Sequence, residues 1–321
     1  MKTNLLTIGI TLGGILLGGI GLAQEPRLAG PVSGLVFDGQ AKAIRPILGV
    51  AGSSYLGAAL VEHLDFASIA PSGGRAVAVR EGRLYLVKLG AELEWTMLVE
   101  EFAGAERASW SQDSNSVAVY GAESGLRVFR RLDGAFEAAV LGTPGGVTAL
   151  RVLEDGSGAL FATAAGVHLA NGESRLLAAL EGASALALDG GTVYAASRER
   201  SEVIAIRNFL ESPGVELVAN EARGVADPAG LAVSGHDLLV ASGSAKSVYR
   251  LNAATGELSG AVELDFAPDG LELAARSAAG ETFYSLRSRG APSDPFELLD
   301  AARGGAFFVP AGVETGVAVE E

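Results

Sequence analysis

Residues 108–121 read ASWSQDSNSVAVYG. A short small-and-apolar run meets a turn of Ser, Gln, Asp, Ser and Asn, and a second run follows in which Val117 and Val119 alternate with small residues. Alternation of that kind on either side of turn-forming Asp, Asn and Ser is the signal of a tight strand–turn–strand unit. Six other stretches repeat it, with turns beginning near Val36 (VFDGQ), Pro71 (PSGGR), Leu153 (LEDGS), Leu188 (LDGGT), Val233 (VSGHD) and Ala267 (APDGL). Successive turns are 34 to 45 residues apart.

Each unit offers four short strands. The first stands before the turn, as at 67–70 and 230–233, and the second after it, as at 76–79, 117–120, 193–196 and 238–241. A third follows at 84–87, 126–129, 203–206, 248–251 and 283–286. Fourth strands are expected at 59–63, 96–100, 136–141, 175–180, 216–219, 258–263 and 306–309. A period of about 40 residues containing only strands is the mark of propeller blades. The reading is therefore an all-β chain, a β-propeller of seven four-stranded blades in one domain over 24–321. Two β-sandwiches would also use many short strands, but the even spacing runs from Val36 to Ala267 without a linker. Blades converge on an axis, so small residues suit the inner strands, while Tyr85, Phe129 and Tyr249 have room farther out.

The first unit is irregular. In AIRPILGVAGSSYLG (43–57) Pro46 stands inside an expected strand, where a residue without an N–H belongs at an edge or bulge. Gly49 to Ser54 then read either as part of an irregular first blade or as a widened loop on a ligand-facing side, with Arg45 facing the channel or solvent.

FAPDGLELAA (266–275), together with the stretch at 108–121, resembles the repeats of secreted bacterial β-propellers of the WD40-like and YVTN-like superfamily. The resemblance extends from 33 to about 310 and implies blades without naming a ligand. No Trp-Asp pair closes the third strands and no regular Gly-His opens the units, so the hydrogen-bonded tetrad of eukaryotic-type WD40 repeats is not expected.

Composition narrows the chemistry. There is no cysteine, which excludes disulfides, thiolate metal sites and a thiol nucleophile. With 24 Lys and Arg against 38 Asp and Glu, the formal charge of −14 repels nucleic acid. Gly, at 44 of 321 residues, points to many turns. Lys2, the uncharged run from Leu5 to Ala23 and the small residues Gly21 and Ala23 make 1–23 read as an export signal cleaved before Gln24, with a retained membrane anchor as the alternative, so the mature chain is expected to be secreted or periplasmic, free of the membrane and monomeric.

The search for catalytic motifs is negative. Histidines 63, 168 and 236 lie too far apart to form a local metal pair, and no Gly-x-Ser-x-Gly elbow, Ser-x-x-Lys or phosphate loop occurs. The aspartates of the Asp-Gly turns, Asp38, Asp155, Asp189 and Asp269, read as turn formers. No cofactor is expected. Two functions remain. One is a secreted, non-catalytic binding or scaffold propeller that uses its loop face. The other is a metal-dependent hydrolase or lactonase with oxygen ligands in the central channel. Turns between second and third strands share a face with the connections between blades, and there Arg80, Arg198, Arg200, Arg223 and Arg276 recur in an otherwise acidic chain. They are the candidate binding residues for a protein, peptide or glycan bearing anionic groups. Local ion pairing with neighbouring glutamates is the alternative use of the same side chains.

Overall fold

Wherever the sequence sets a Gly-, Asp- or Ser-rich turn between two apolar runs, the chain of this computed structural model doubles back as an antiparallel hairpin. The structure describes residues 31–142, 144–276, 282–288 and 296–310; residues 1–23, expected as an export signal, lie outside them. Blade 1 holds β1 (Val32–Asp38), β2 (Ala43–Val50) and β3 (Ser53–Leu56), and blade 2 holds β4 (Phe66–Ile69), β5 (Arg75–Arg80), β6 (Arg83–Leu89) and β7 (Leu93–Val99). Blade 3 comprises β8 (Ala105–Trp110), β9 (Ser116–Gly121), β10 (Gly125–Arg130) and β11 (Glu137–Val140), and blade 4 comprises β12 (Ala149–Val152), β13 (Ala159–Thr163), β14 (Gly166–Asn171) and β15 (Glu173–Ala179). Blade 5 is β16 (Ala183–Asp189), β17 (Thr192–Ser197), β18 (Glu202–Arg207) and β19 (Gly214–Asn220); blade 6 is β20 (Pro228–Ser234), β21 (Asp237–Ser242), β22 (Ser247–Asn252) and β23 (Leu258–Glu263). Blade 7 is β24 (Pro268–Arg276), β25 (Thr282–Ser288), β26 (Phe296–Asp300) and β27 (Gly305–Val309).

The inner strands touch in succession, β1 with β4, β4 with β8, and so on through β24, which returns to β1 and closes the ring. This is a seven-bladed β-propeller. Apolar clusters fill the spaces between adjacent blades, as where Phe102 and Phe129 lie fully buried with Val77, Val79 and Val117 between blades 2 and 3. Burying a side chain of that size contributes about 2–3 kcal/mol. Small polar residues on the inner strands join neighbouring blades. Ser68 Oγ accepts from Trp110 Nε1 (3.2 Å), Ser109 Oγ accepts from Val152 N–H (3.1 Å), Thr148 Oγ1 donates to Ala183 (2.6 Å) and Ser184 Oγ to Pro228 (2.9 Å). Such residues occupy the crowded inner positions because a short hydroxyl reaches the next backbone without displacing it.

The turn at Ser111 shows why the repeat recurs. Ser111 Oγ donates to Asp113 Oδ1 (2.5 Å) and accepts from Ser116 N–H (2.9 Å), while Asp113 Oδ1 accepts Asn115 N–H (2.9 Å). Side chains thus supply the hydrogen bonds that the reversing backbone lacks. Asp38 Oδ1 likewise accepts the N–H groups of Gln40 and Ala41 (both 3.0 Å), and Asp155 Oδ1 accepts Ser157 N–H (2.9 Å).

Two strand assignments need correction. The APDG segment opens β24 instead of separating two strands, so 283–286 belongs to the second strand of blade 7 and its third strand is β26. Pro268 and Asp269 can start a strand as readily as turn a chain, and the pattern alone does not tell the two apart. Blade 1, at the other end, has three strands among the described residues. Its expected fourth strand at 59–63 instead prolongs the course of β3 along β2, with Ile44 and Val61 bridged.

Three passes in place of four reverse the blade. Lys42, just after the β1–β2 turn, accepts Leu64 N–H (2.9 Å), and the next residue, Asp65, donates to Val79 (2.8 Å) beside the β5–β6 turn. The first-to-second-strand turn of blade 1 therefore shares a face with the second-to-third-strand turns of the other blades.

Pro46 sits in the middle strand of this blade, opposite Leu35, and neither at an edge nor at a bulge. Its missing donor is replaced. Gly57 N–H reaches the Pro46 carbonyl (2.8 Å), and Gly57 O, which would accept the absent N–H, takes Arg45 Nε instead (2.8 Å). Gly57 must lack a Cβ, since one there would stand 2.8 Å from side-chain atoms of both Pro46 and Leu48. Arg45 Nη1 also pairs with Asp38 Oδ2 (3.1 Å), with both side chains largely buried. Arg45 is a structural strut facing neither channel nor solvent, and Gly49 to Ser54 fold into a tight hairpin, not a widened loop.

Candidate functional site

The face carrying the second-to-third-strand turns also carries the connections between blades, as Phe102 N–H shows by donating to Gly82 in the β5–β6 turn (2.7 Å). Four of the five arginines singled out in the sequence lie here, on different parts of the ring. Arg80 ends β5, exposed, with its guanidinium 5.9 Å from the ring centre of Trp95. Arg198 and Arg200 share the β17–β18 turn of blade 5, and Arg223 lies in the 3₁₀ turn Glu221–Arg223 between blades 5 and 6. Arg276 is the exception. It ends the innermost strand of blade 7, at the end of the blade that carries first-to-second-strand turns, because the strands of that unit are displaced by one from the sequence reading.

The pairing of these side chains differs. Arg198 reaches Asp269 Oδ1 at 2.5 Å and Asp227 Oδ1 at 3.7 Å, so one guanidinium from blade 5 holds the entry of blade 6 and the first residues of β24 in blade 7. Asp269 thus serves as an ion-pair partner rather than a turn former. Arg200 pairs with Glu202 (2.7 Å) while its own side chain stays half exposed, and Arg223 Nη1 donates to the Val218 carbonyl (2.6 Å). The loops themselves are fastened from below. Ser197 Oγ donates to Glu181 O (2.5 Å) and accepts Arg200 N–H (3.1 Å), and Ser242 repeats the arrangement one blade on with Ala226 and Ala245.

A second group of arginines, which the sequence reading did not nominate, lies toward the axis. Arg107 in β8 donates from Nε to Val147 O (2.8 Å), and Arg151 in β12 donates from Nη1 to Leu150 O (2.8 Å). Burial lowers the pKa of both guanidinium groups. Arg107 is disfavoured further by Arg287 of β25 and supported by Glu272 of β24 and by Glu106; Arg151 is supported by Glu272 and opposed by Arg107. Blades 3 and 4 are not neighbours of blade 7 in the ring, so these groups influence one another across the central channel. The only hint in the sequence is an arginine inside an inner strand of otherwise small or apolar residues, as in ERASW and ALRV.

Elsewhere titratable groups have structural surroundings. His168 stacks on Phe161 (centroids 4.9 Å apart, planes 5° from parallel), and burial lowers its pKa. The hydrogen bonds from Ser157 hold Asp155 below the usual carboxylate range. Tyr194, buried with its hydroxyl on Ala253 O (2.8 Å), is raised by burial. Glu297 in β26 is buried with Oε2 lacking a partner among the described residues, and burial, reinforced by Asp265, raises its carboxyl to about 7. Among the described residues no three His, Cys, Asp or Glu side chains converge as metal ligands, and no helix is long and apolar enough to cross a membrane.

No known protein family and no curated protein matches the sequence. Solved structures do match the fold. A functionally unknown protein from Desulfotomaculum acetoxidans superposes with a TM-score of 0.60 at 11% identity, over 87% of this chain and 99% of that one. Saccharomyces cerevisiae Sqt1 gives 0.53 at 11% identity, covering 88% and 86% of the two chains. The β-propeller domain of Myceliophteria thermophila Cps50 (Swd1) gives 0.53 at 12% identity, covering 82% and 94%. Likeness at this identity extends to the fold, and the chain shares with these proteins a propeller ring built from unrelated-looking sequence.

Proposed function

We propose that this protein is a non-catalytic binding propeller that holds an acidic protein or peptide segment on the face of its second-to-third-strand turns. The observation that carries the reading is the fastening of that face. Arg198 ties three successive blades together through Asp227 and Asp269, and Ser197 and Ser242 hold the loops beside it. A surface whose loops are ordered before contact loses less conformational entropy on binding. Arg80 and Arg200, exposed on this face, are the side chains offered to carboxylates of the partner, and Arg198 is a positioning residue.

A metal-dependent hydrolase or lactonase is the second reading. It requires oxygen ligands to converge on the axis, whereas Arg107 and Arg151 bring positive charge toward it, and a divalent cation is repelled there. This favours the binding reading.

The test is fluorescence anisotropy with a labelled oligoglutamate peptide at low and high salt. Binding to the wild-type chain should weaken with salt and weaken again, with melting unchanged, in the Arg80→Ser/Arg200→Ser double variant. Equal binding by the double variant, or no binding by the wild type at low salt, would overturn the proposal.

A further inference from the structure

The axial arginines are unusual for a chain of net charge −14. Arg107 and Arg151 stand on the adjacent inner strands β8 and β12, Glu272 of β24 acts on both, and Arg287 of β25 and the exposed Glu106 act on Arg107. Glu272 is already engaged, at 3.0 Å from Arg287 Nη2. Among the described residues no carboxylate lies within ion-pair distance of Arg107 or Arg151, and each makes a single hydrogen bond, to a backbone carbonyl. A guanidinium has five N–H donors. Most of those on Arg107 and Arg151 therefore have no protein acceptor among the described residues, and with both side chains half-buried these donors stay open to the water of the channel. Each gives the fold one hydrogen bond and leaves its other donors free for solvent or a ligand.

The mouth of this region is open. Arg287 and Glu272 are each more than half exposed, and the guanidinium of Arg287 lies over Gly270, where a Cβ would stand 2.8 Å from Nη2. Arg107 hydrogen-bonds to Val147 in the connection that enters blade 4, so it stands near the face described above. Arg151 follows deeper, two residues into β12. Positive charge thus extends inward from the proposed binding face along the axis, and walls of low dielectric focus its field.

We propose that the central channel holds an oxyanion, a phosphate or carboxylate group, between Arg107 and Arg151, with Arg287 at the entrance and Glu272 limiting the affinity. Planar guanidinium groups suit either anion, because each presents paired N–H donors to paired oxygens. The site deepens the binding reading, in that an acidic partner could place one side chain or its C-terminal carboxylate there, but a free anion would serve equally well. The two sources differ only in what carries the oxygens.

Calorimetric titration with inorganic phosphate and, separately, with succinate tests the site on the full chain. Binding of at least one is expected, with about tenfold weaker affinity in Arg151→Met, which keeps an apolar stem in place of the charge. Glu272→Gln should act in the opposite direction and strengthen binding severalfold, an effect that shrinks at high salt. That second variant leaves the arginines intact and keeps the test decisive if Arg151→Met misfolds. Tighter phosphate than succinate assigns the site to a phosphate group, and the reverse to a carboxylate. No binding of either anion by the wild type, or weaker binding in Glu272→Gln, would overturn the proposal. Neither result bears on peptide binding through Arg80 and Arg200, so the two proposals can fail separately.

Discussion

Glu297 makes stability depend on pH in a direction opposite to that of most carboxylates. The residue is 8% exposed, Oε2 has no partner among the described residues, and Asp265 adds like charge, so the carboxyl ionises near 7 instead of the ordinary 4.5. The folded state then binds a proton more tightly than the unfolded state does. Stability from this group is complete below about 4.5 and is lost as the pH rises through about 7. Each pH unit of displacement corresponds to about 1.4 kcal/mol, so the full loss approaches 3 kcal/mol by pH 8. Glu297→Gln removes the titration and keeps the shape. Urea unfolding of both proteins at pH 5 and pH 8 isolates the effect, because any fixed cost of the amide cancels between the two conditions. The variant should gain about 2–3 kcal/mol on the wild type between pH 5 and pH 8. If the difference between the two proteins is the same at both pH values, or moves the other way, the carboxyl is not held in its protonated form and the argument from burial fails.

Two further outcomes test the unusual first blade and the closure of the ring. Arg45→Ala should cost about 3 kcal/mol in urea unfolding, since it leaves Asp38 buried without its cation and Gly57 O without a donor, and Arg45→Lys should recover little because an ammonium lacks the planar fork; a loss below about 0.5 kcal/mol would show that Pro46 needs no substitute donor. Deleting residues 304–321 removes β27, takes Val309 from its cluster with Val36, Ile47, Leu56 and Leu298, and takes away the Pro310 carbonyl that accepts Leu56 N–H, so the truncated chain should aggregate and lose its cooperative melt; unchanged circular dichroism and melting would refute this closure.

Six of the seven turns could be located in the sequence because each is local, with Asp38, Ser111, Asp113 and Asp155 bonding to backbone within a few residues. The seventh could not. Pro268, Asp269 and Gly270 have the chemistry of a turn, yet Asp269 is engaged by Arg198, 71 residues away, and the segment is drawn straight into β24. Pro46 misled for a similar reason. Its tolerance in a middle strand depends on Arg45 and on Gly57, and that compensation exists only once three strands are assembled. Arg198, Arg200 and Arg223 were visible as charges on turns, but their partners come from neighbouring strands and blades. Arg107 and Arg151 belong to strands that look ordinary one at a time. Only the closing of the ring sets them across the channel from Glu272 and Arg287.

The reversed direction of blade 1 has a practical consequence for anyone mapping contacts by aligning the repeats. Superimposing VFDGQ on PSGGR or SQDSN would assign Gln40 and Lys42 to the side of the disc that bears Ser72 and Ser114. In space they belong to the opposite side, next to Asp65 and the β5–β6 turn, where Lys42 Nζ lies 3.3 Å from Asp65 Oδ1. A footprint drawn from the alignment would therefore show a gap at one blade in seven and a stray contact on the reverse. An added four-stranded unit could be spliced between any two of the later blades and keep every loop on its proper side, whereas a copy of blade 1 placed there would turn each unit before it upside down relative to those after it.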